Sequence, residues 1–169
     1  MQKKEIMTNL FYKFKTKSKV IADNYQTIIE NSSNDWQSYF GFDALQIPRE
    51  LWIQESLLNR IDETFPILQA GILRLHPNEI YNLHVDQNRG VCVNMQLNYN
   101  VQSECSFEVP GKTVIVPYEE HSFFLFNNQQ PHKVVNGDNI RYMFSIEFVK
   151  NKNELDYNTV LAWVQNQDL

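Results

Sequence analysis

Cysteine is scarce. Cys92 and Cys105 are the only two in 169 residues, too few for a disulfide framework or a cysteine-based zinc site. They read as reduced thiols of a cytoplasmic protein. Long apolar runs are missing too. Each hydrophobic stretch is only a few residues, whereas a membrane span needs about 20. Lys3 and Lys4 precede no apolar stretch, so no secretory leader is expected. Positive charge is in deficit, with 15 Lys and Arg against 20 Asp and Glu for a net charge of −5. That balance speaks against a dedicated nucleic-acid binder. Hydrophobic residues make up 43% and charged residues 21%. Such a chain can bury a sizeable core and is not disordered. Its length fits a single domain over residues 1–169.

Charge is unevenly spread. Residues 1–19 hold six lysines (Lys3, Lys4, Lys13, Lys15, Lys17 and Lys19) against Glu5, a sum of +5, leaving −10 on the other 150 residues. Such an arm can contact a phosphate backbone or dock on the protein's own surface. Phe11, Tyr12 and Phe14 lie among the lysines and favour packing. Residues 1–66 read as a mostly helical support. Val20, Ile21, Tyr25, Ile28 and Ile29 recur at helical spacing, and the run Glu50 to Phe65 carries Leu51, Ile53, Leu57, Leu58 and Ile61 between Pro48 and Pro66. Asn31 to Asp35 breaks the two.

From residue 67 the texture changes. Runs rich in β-branched and aromatic residues alternate with Gly, Pro, Asn and Asp. They predict strands near 67–75, 80–86, 91–98, 103–109, 112–116, 122–127, 132–136 and 141–149. This is mainly β with flanking helices, a sandwich or jelly roll over 67–149. A helix over 153–166 closes the chain, within a C-terminal segment 150–169. There is no internal repeat, and the many Asn and Gln are scattered.

Four histidines stand at 76, 84, 121 and 132. In the run Tyr81-Asn82-Leu83-His84-Val85-Asp86, alternate residues share a face. His84 and Asp86 therefore point the same way and can share one metal ion. His132 opens another strand some four strands later and can complete the set. Two histidines and one carboxylate with open positions suit non-haem Fe(II) and oxygen chemistry. Arg141 opens the last strand. Arg141, Met143, Ser145 and Glu147 share one face, and Tyr142, Phe144, Ile146 and Phe148 the other. A guanidinium pointing into a barrel mouth must be paired, and a dicarboxylate would pair it bidentately.

His84-x-Asp86, then His132, then Arg141 resembles the Fe(II)- and 2-oxoglutarate-dependent oxygenases. Leu75-x-Pro77-Asn78-Glu79-x-Tyr81-x-x-His84 is similar to the Tyr-x-Pro-Gly-Gln-x-Tyr run of the prolyl-hydroxylase branch. Asn78 stands for the glycine of a left-handed turn. Leu75 stands for the first tyrosine, so that hydroxyl is absent. Pro131-His132-x-Val134-x-Asn136 resembles the distal half in other branches, including aspartyl/asparaginyl hydroxylase-like proteins. The resemblance covers about residues 67–149 and implies a double-stranded β-helix, a cupin-like barrel. It implies Fe(II), 2-oxoglutarate and O2, with His84, Asp86 and His132 on the metal and Arg141 on the far carboxylate. The implied reaction hydroxylates an amino acid, peptide or protein side chain and releases succinate and CO2. Asp86 favours hydroxylation, since family halogenases lack that carboxylate.

The alternative is a non-redox cupin-like metal- or ligand-binding domain. Cupins more often begin His-x-His with a later Glu, and have no need of Arg141. The polar face Cys92, Asn94, Gln96, Asn98 either lines the pocket, with Asn94 or Gln96 near the cosubstrate, or is an exposed sheet face. Arg74 and Arg89 either bind a substrate carboxylate or form surface ion pairs. Tyr81 and Ser145 are further pocket residues. His76 reads as a turn residue and His121 as solvent-facing or flanking the pocket, while Trp36, Trp52 and Trp163 read as core anchors. The expected partner is a small-molecule or peptide/protein substrate and not a membrane, and only the basic arm speaks for a nucleic acid. Oligomeric state is not legible.

Overall fold

Period-two alternation of apolar and polar residues folds each run after Pro66 into a strand. The computed structural model describes residues 9–99 and 102–169. It contains β4 (Ile67–Leu75), β5 (Ile80–His84), β6 (Val91–Gln96), β7 (Glu104–Val109), β8 (Lys112–Ile115), β9 (Ser122–Asn127), β10 (His132–Val135) and β11 (Arg141–Phe148). Before them come β1 (Phe11–Lys17), α1 (Val20–Asn31), β2 (Gln37–Tyr39), β3 (Phe42–Ile47), α2 (Arg49–Trp52) and α3 (Ser56–Thr64), and α4 (Tyr157–Asn166) follows.

The strands form a seven-stranded sheet, β1-β9-β6-β11-β4-β3-β2, and a four-stranded sheet, β5-β10-β7-β8, with every pairing antiparallel. From β4 to β11 the chain passes back and forth between the sheets, which makes a double-stranded β-helix. The large sheet uses its two faces differently. One face carries Ile72, Val93, Met95, Phe123, Leu125, Phe144 and Ile146 against Ile21, Leu57, Leu58, Ile61, Val160 and Val164 of the helices. The other carries Leu75, Cys92, Phe124 and Phe126 against Cys105, Phe107 and Val134 of the small sheet. Burying these apolar side chains drives the layering, at about 1.5–3 kcal/mol for each large one. Both cysteines are buried and free.

The N-terminal region departs from the helical expectation. Phe11–Lys17 is an edge strand paired with β9, and β2 and β3 form a hairpin that extends the large sheet through β4. The missed signal is alternation: Lys13, Lys15 and Lys17 all lie on the exposed side of β1, two residues apart. This part of the basic arm docks on the protein itself. Lys13 pairs with Glu119 at 2.9 Å, and Lys15 pairs with Asp168. Residues 1–8 lie outside the described residues. The helix expected over Glu50–Phe65 is broken between α2 and α3. There the buried Glu55 turns its carboxylate to the start of α1 and accepts from Ser18 Oγ (2.5 Å), Val20 N (2.9 Å) and Ile21 N (2.8 Å). It supplies from afar the cap that α1 lacks locally.

Tyr39 and Phe42 are paired across a two-residue loop, Phe40-Gly41, with φ of 46° and 87°. Two positive φ values are the signature of a type I′ hairpin turn, in which Asn-Gly is usual and Phe is strained. Asn78 has φ of 61°, as its place in the turn before β5 predicts.

Candidate metal centre

His84 ends β5 and His132 begins β10, and the two are direct cross-strand partners. Their ring centroids are 4.2 Å apart. Asp86 lies two residues past His84, beyond the strand end. Its backbone N–H donates to Asn128 O at 3.0 Å. Gln129 Nε2 donates to the carbonyls of Asp86 (3.0 Å) and Arg89 (2.7 Å). The turn leading into His132 thus also holds the loop that carries Asp86. Gly90 ends that loop where a Cβ would stand 2.3 Å from Leu155 O, a contact only glycine permits.

The three side chains converge. His84 Nε2 is 3.2 Å and His132 Nε2 3.5 Å from Asp86 Oδ1, and all three donor atoms lie within 4.8 Å of one another. Ligands about 2.1 Å from one ion stand about 3 Å apart, so the triangle fits a single metal. Each imidazole is already oriented. His84 Nδ1–H donates to Asn82 O (2.7 Å) and His132 Nδ1–H to Gln130 O (2.8 Å), which leaves both Nε2 lone pairs facing the centre. His84 Nε2 is buried and faces only Asp86 Oδ1 among the carboxylate oxygens, at 3.2 Å. Asp86 Oδ2 is held by Arg89 Nε (2.7 Å) and Asn128 Nδ2 (2.9 Å). Only Oδ1 is presented to the histidines.

The electrostatics favour deprotonated ligands at Asp86 and His132. Burial works to raise the Asp86 pKa, but His84, Arg89 and His132 outweigh it and bring it to about 2. Burial pushes His132 down to about 4. At His84 burial pulls down, yet the hydrogen bonds to Asp86 and Asn82 win and lift it above its ordinary value. Neutral imidazoles and a carboxylate suit Fe(II) as well as other divalent first-row ions.

A cavity of about 680 Å³ opens over this centre, lined by His84, Asp86, His132, Arg141, Asn94, Tyr81, Arg89 and Ser145. Two of the expected pocket residues are elsewhere. Arg74 lies on the helix-facing side of β4, where it pairs with Asp43 (2.8 Å) and sits 4.2 Å over the Trp36 ring. Gln96 is buried on the inner face, but its Nε2 donates to Asn98 O (2.9 Å) and it does not line the cavity. His76 pairs with Asp43 at 2.9 Å, and His121 is exposed with φ of 60°. Arg89 lines the cavity, with its Nε donating to Asp86 Oδ2 (2.7 Å) and its Nη1 to Ser145 Oγ (3.4 Å).

Arg141 is 3% exposed and faces the cavity. It makes no ion pair and no hydrogen bond with any described residue, and its Nε is buried without a partner. Sequence reasoning missed Tyr118, Asn128, the Tyr39–Phe42 hairpin, Gln69 and Glu147 as parts of the site. Glu147 was legible from parity, being on the Arg141 face of β11. Tyr118 and Asn128 lie in loops, where alternation says nothing.

No family model and no curated protein sequence matches the chain. Solved structures do. A prolyl hydroxylase from Trichoplax adhaerens, in complex with a hypoxia inducible factor oxygen degradation domain peptide fragment, matches with a TM-score of 0.66, 16% identity and 86% of each chain covered. A prolyl-4-hydroxylase from Pseudomonas putida matches with a TM-score of 0.65 and 13% identity, over 87% of this chain and 96% of that one. The viral collagen prolyl hydroxylase of Paramecium Bursaria Chlorella virus-1, in its 2-oxoglutarate complex, matches with a TM-score of 0.60 and 10% identity, over 81% and 93%. The chain therefore has the double-stranded β-helix fold of the 2-oxoglutarate and Fe(II) oxygenases. Within that fold class it is similar to prolyl hydroxylases.

Proposed function

We propose that this protein is an Fe(II)- and 2-oxoglutarate-dependent dioxygenase that hydroxylates an amino acid, peptide or protein side chain and releases succinate and CO2. The observation that carries the reading is the Arg141 guanidinium, buried in the same cavity as the three ligand residues with no ion pair to any described residue. A lone buried cation is costly, and a carboxylate arriving from outside offsets that cost through charge-assisted hydrogen bonds. A ligand with a carboxylate for Arg141 at one end and a metal-binding 2-oxo acid at the other meets both demands.

His84, Asp86 and His132 would hold the iron. When bound, iron and cosubstrate supply the oxidising power for attack on an unactivated C–H bond. The chain's own residues position and shield. Arg89 and Asn128 hold one Asp86 oxygen and aim the other. The carbonyls of residues 82 and 130 fix the imidazoles. Phe107 and Phe126 flank His132 at 5.9 and 4.9 Å between ring centroids and keep water off that ligand. Tyr81 packs on Phe42 at 4.6 Å and walls the other side. Asn94 faces the cosubstrate from β6, while Tyr39, Phe40 and Glu147 face the mouth, where a substrate enters.

The test has two stages. With Mn(II) present, calorimetry should show 2-oxoglutarate binding to the wild type and no binding after Arg141→Met. With Fe(II) and O2, succinate should form, and His132→Ala should abolish it. Metal binding without 2-oxoglutarate binding would establish the non-redox cupin-like reading instead.

A further inference from the structure

We infer that Glu147 selects the substrate by its charge: at the mouth of the cavity it anchors a cation, the ammonium or guanidinium of a lysine- or arginine-like side chain. The inference rests on the oxygenase reading above and adds to it the substrate class.

Among the described residues, the Asp, Glu, Lys and Arg side chains that line the cavity are Asp86, Arg89, Arg141 and Glu147. Asp86 and Arg89 pair with each other at 2.7 Å. The cosubstrate carboxylate answers Arg141. Glu147 is left over, and it forms no ion pair with any described residue. Its carboxylate is nevertheless held in place, because Gln69 Nε2 donates to Oε2 at 2.6 Å. Gln69 and Glu147 are direct cross-strand partners in the β4–β11 register, so that bond is built into the sheet. A neutral donor fixes one oxygen and leaves the negative charge uncompensated.

Its position suits the substrate and not the cosubstrate. Glu147 stands six residues along β11 from Arg141, about 20 Å at the rise of a strand. Between them on the same face, Ser145 Oγ accepts from Arg89 Nη1 (3.4 Å), whose Nε holds Asp86. The metal ligands therefore meet β11 between the two charges, about 7 Å before Glu147. Tyr39 and Phe40 line the same mouth, their rings edge-to-face at 4.9 Å and Phe40 60% exposed. Aromatic faces and a carboxylate together attract ammonium and guanidinium groups. A second cavity of about 150 Å³ shares Tyr39, Gln69 and Glu147 and runs along β3 and β4. It gives room for the rest of the molecule that carries the cation.

The experiment mixes Mn(II)- and 2-oxoglutarate-loaded protein with Nα-acetyl-lysine amide, Nα-acetyl-arginine amide, the neutral Nα-acetyl-norleucine amide and free lysine. Broadening of the probe protons by Mn(II) falls steeply with distance, so it reports probes seated at the mouth and not those on the outer acidic surface. The basic probes should bind about 10-fold or more tighter than norleucine. Glu147→Gln should remove that preference and leave norleucine unchanged, and Glu147→Lys should pass it to Nα-acetyl-glutamate amide. Capped lysine binding more tightly than free lysine assigns the cation to a polypeptide, and the reverse order to an amino acid. Norleucine binding as well as the basic probes overturns the inference, as does a Kd for them within twofold of wild type in Glu147→Gln. If the wild type binds no 2-oxoglutarate, the oxygenase reading fails, and the same comparison on the Mn(II) protein alone still decides the charge preference.

Discussion

Arg141→Met should make the ligand-free protein more stable and ligand-blind at once. The residue is 3% exposed, its Nε is buried without a hydrogen bond, and it forms no ion pair with any described residue. Methionine keeps much of its length while removing the charge. An unsatisfied buried polar group costs about 1–3 kcal/mol, and apolar replacement of buried charges stabilises by about 1–4 kcal/mol. Arg141 lines the cavity and lies over the Tyr118 ring, so the low end applies, about 1–2 kcal/mol. For 169 residues each kcal/mol moves the Tm by about 3 °C, so the variant should melt about 3–6 °C higher. Saturating Mn(II) and 2-oxoglutarate at 100 times the Kd should stabilise the wild type by about 2.7 kcal/mol. The same addition should leave the variant where Mn(II) alone leaves it. Thermal unfolding followed by circular dichroism reads all four states. A ligand-free variant that melts below wild type would refute the claim that Arg141 is held there at a cost to the fold.

Arg89→Met removes the 2.7 Å bond to Asp86 Oδ2. It should weaken Mn(II) binding about 10- to 100-fold in an electron paramagnetic resonance titration, and a change under threefold would show that Asn128 suffices. His132, held neutral to about pH 4 by burial, takes up its proton later than the unfolded chain does. The metal-free protein should therefore lose up to about 3 kcal/mol from this group as pH falls from about 6.5 to 4. His84, shifted upward, works in the opposite sense. Its share is present below its unfolded pKa and is lost as pH rises through the folded value. The stability difference between wild type and His132→Asn, read by urea unfolding, should shrink on acidification, and a flat difference would dismiss burial as the cause. Phe40→Asn places Asn-Gly in a turn where Phe has φ of 46°. It should raise stability by about 0.5–1 kcal/mol, and a loss would mean that the edge-to-face contact with Tyr39, 4.9 Å between centroids, outweighs the relief.

The fold from Ile67 onward was legible because alternation is strong there. β4, β9 and the two faces of β11 follow from the residue pattern alone. The candidate ligand triad was legible because His84, Asp86 and His132, followed by Arg141, combine a rare set of side chains with positions in or next to strands. The N-terminal third was harder to read. Glu55 spends its carboxylate on a helix more than thirty residues away, a tertiary tie that breaks a continuous apolar stripe. Arg74 and Arg89 looked equivalent in sequence. The strand face of one and the loop position of the other separate them, and neither is visible before the sheets assemble. Gln96 shares the inner face with Asn94, yet it turns to Asn98 O, a local choice that parity cannot decide.

The large sheet writes two texts in alternate letters. On β11, Tyr142, Phe144, Ile146 and Phe148 fasten the helices, while Arg141, Met143, Ser145 and Glu147 face the chamber. A single inserted residue there would exchange the two sets, pointing aromatics into the cavity and thrusting charges into the helix layer. Substitutions, by contrast, fall on one text at a time. The helix-facing positions can drift or be rebuilt for durability while the chamber keeps its chemistry, and the chamber can take up a new substrate without unpicking the scaffold.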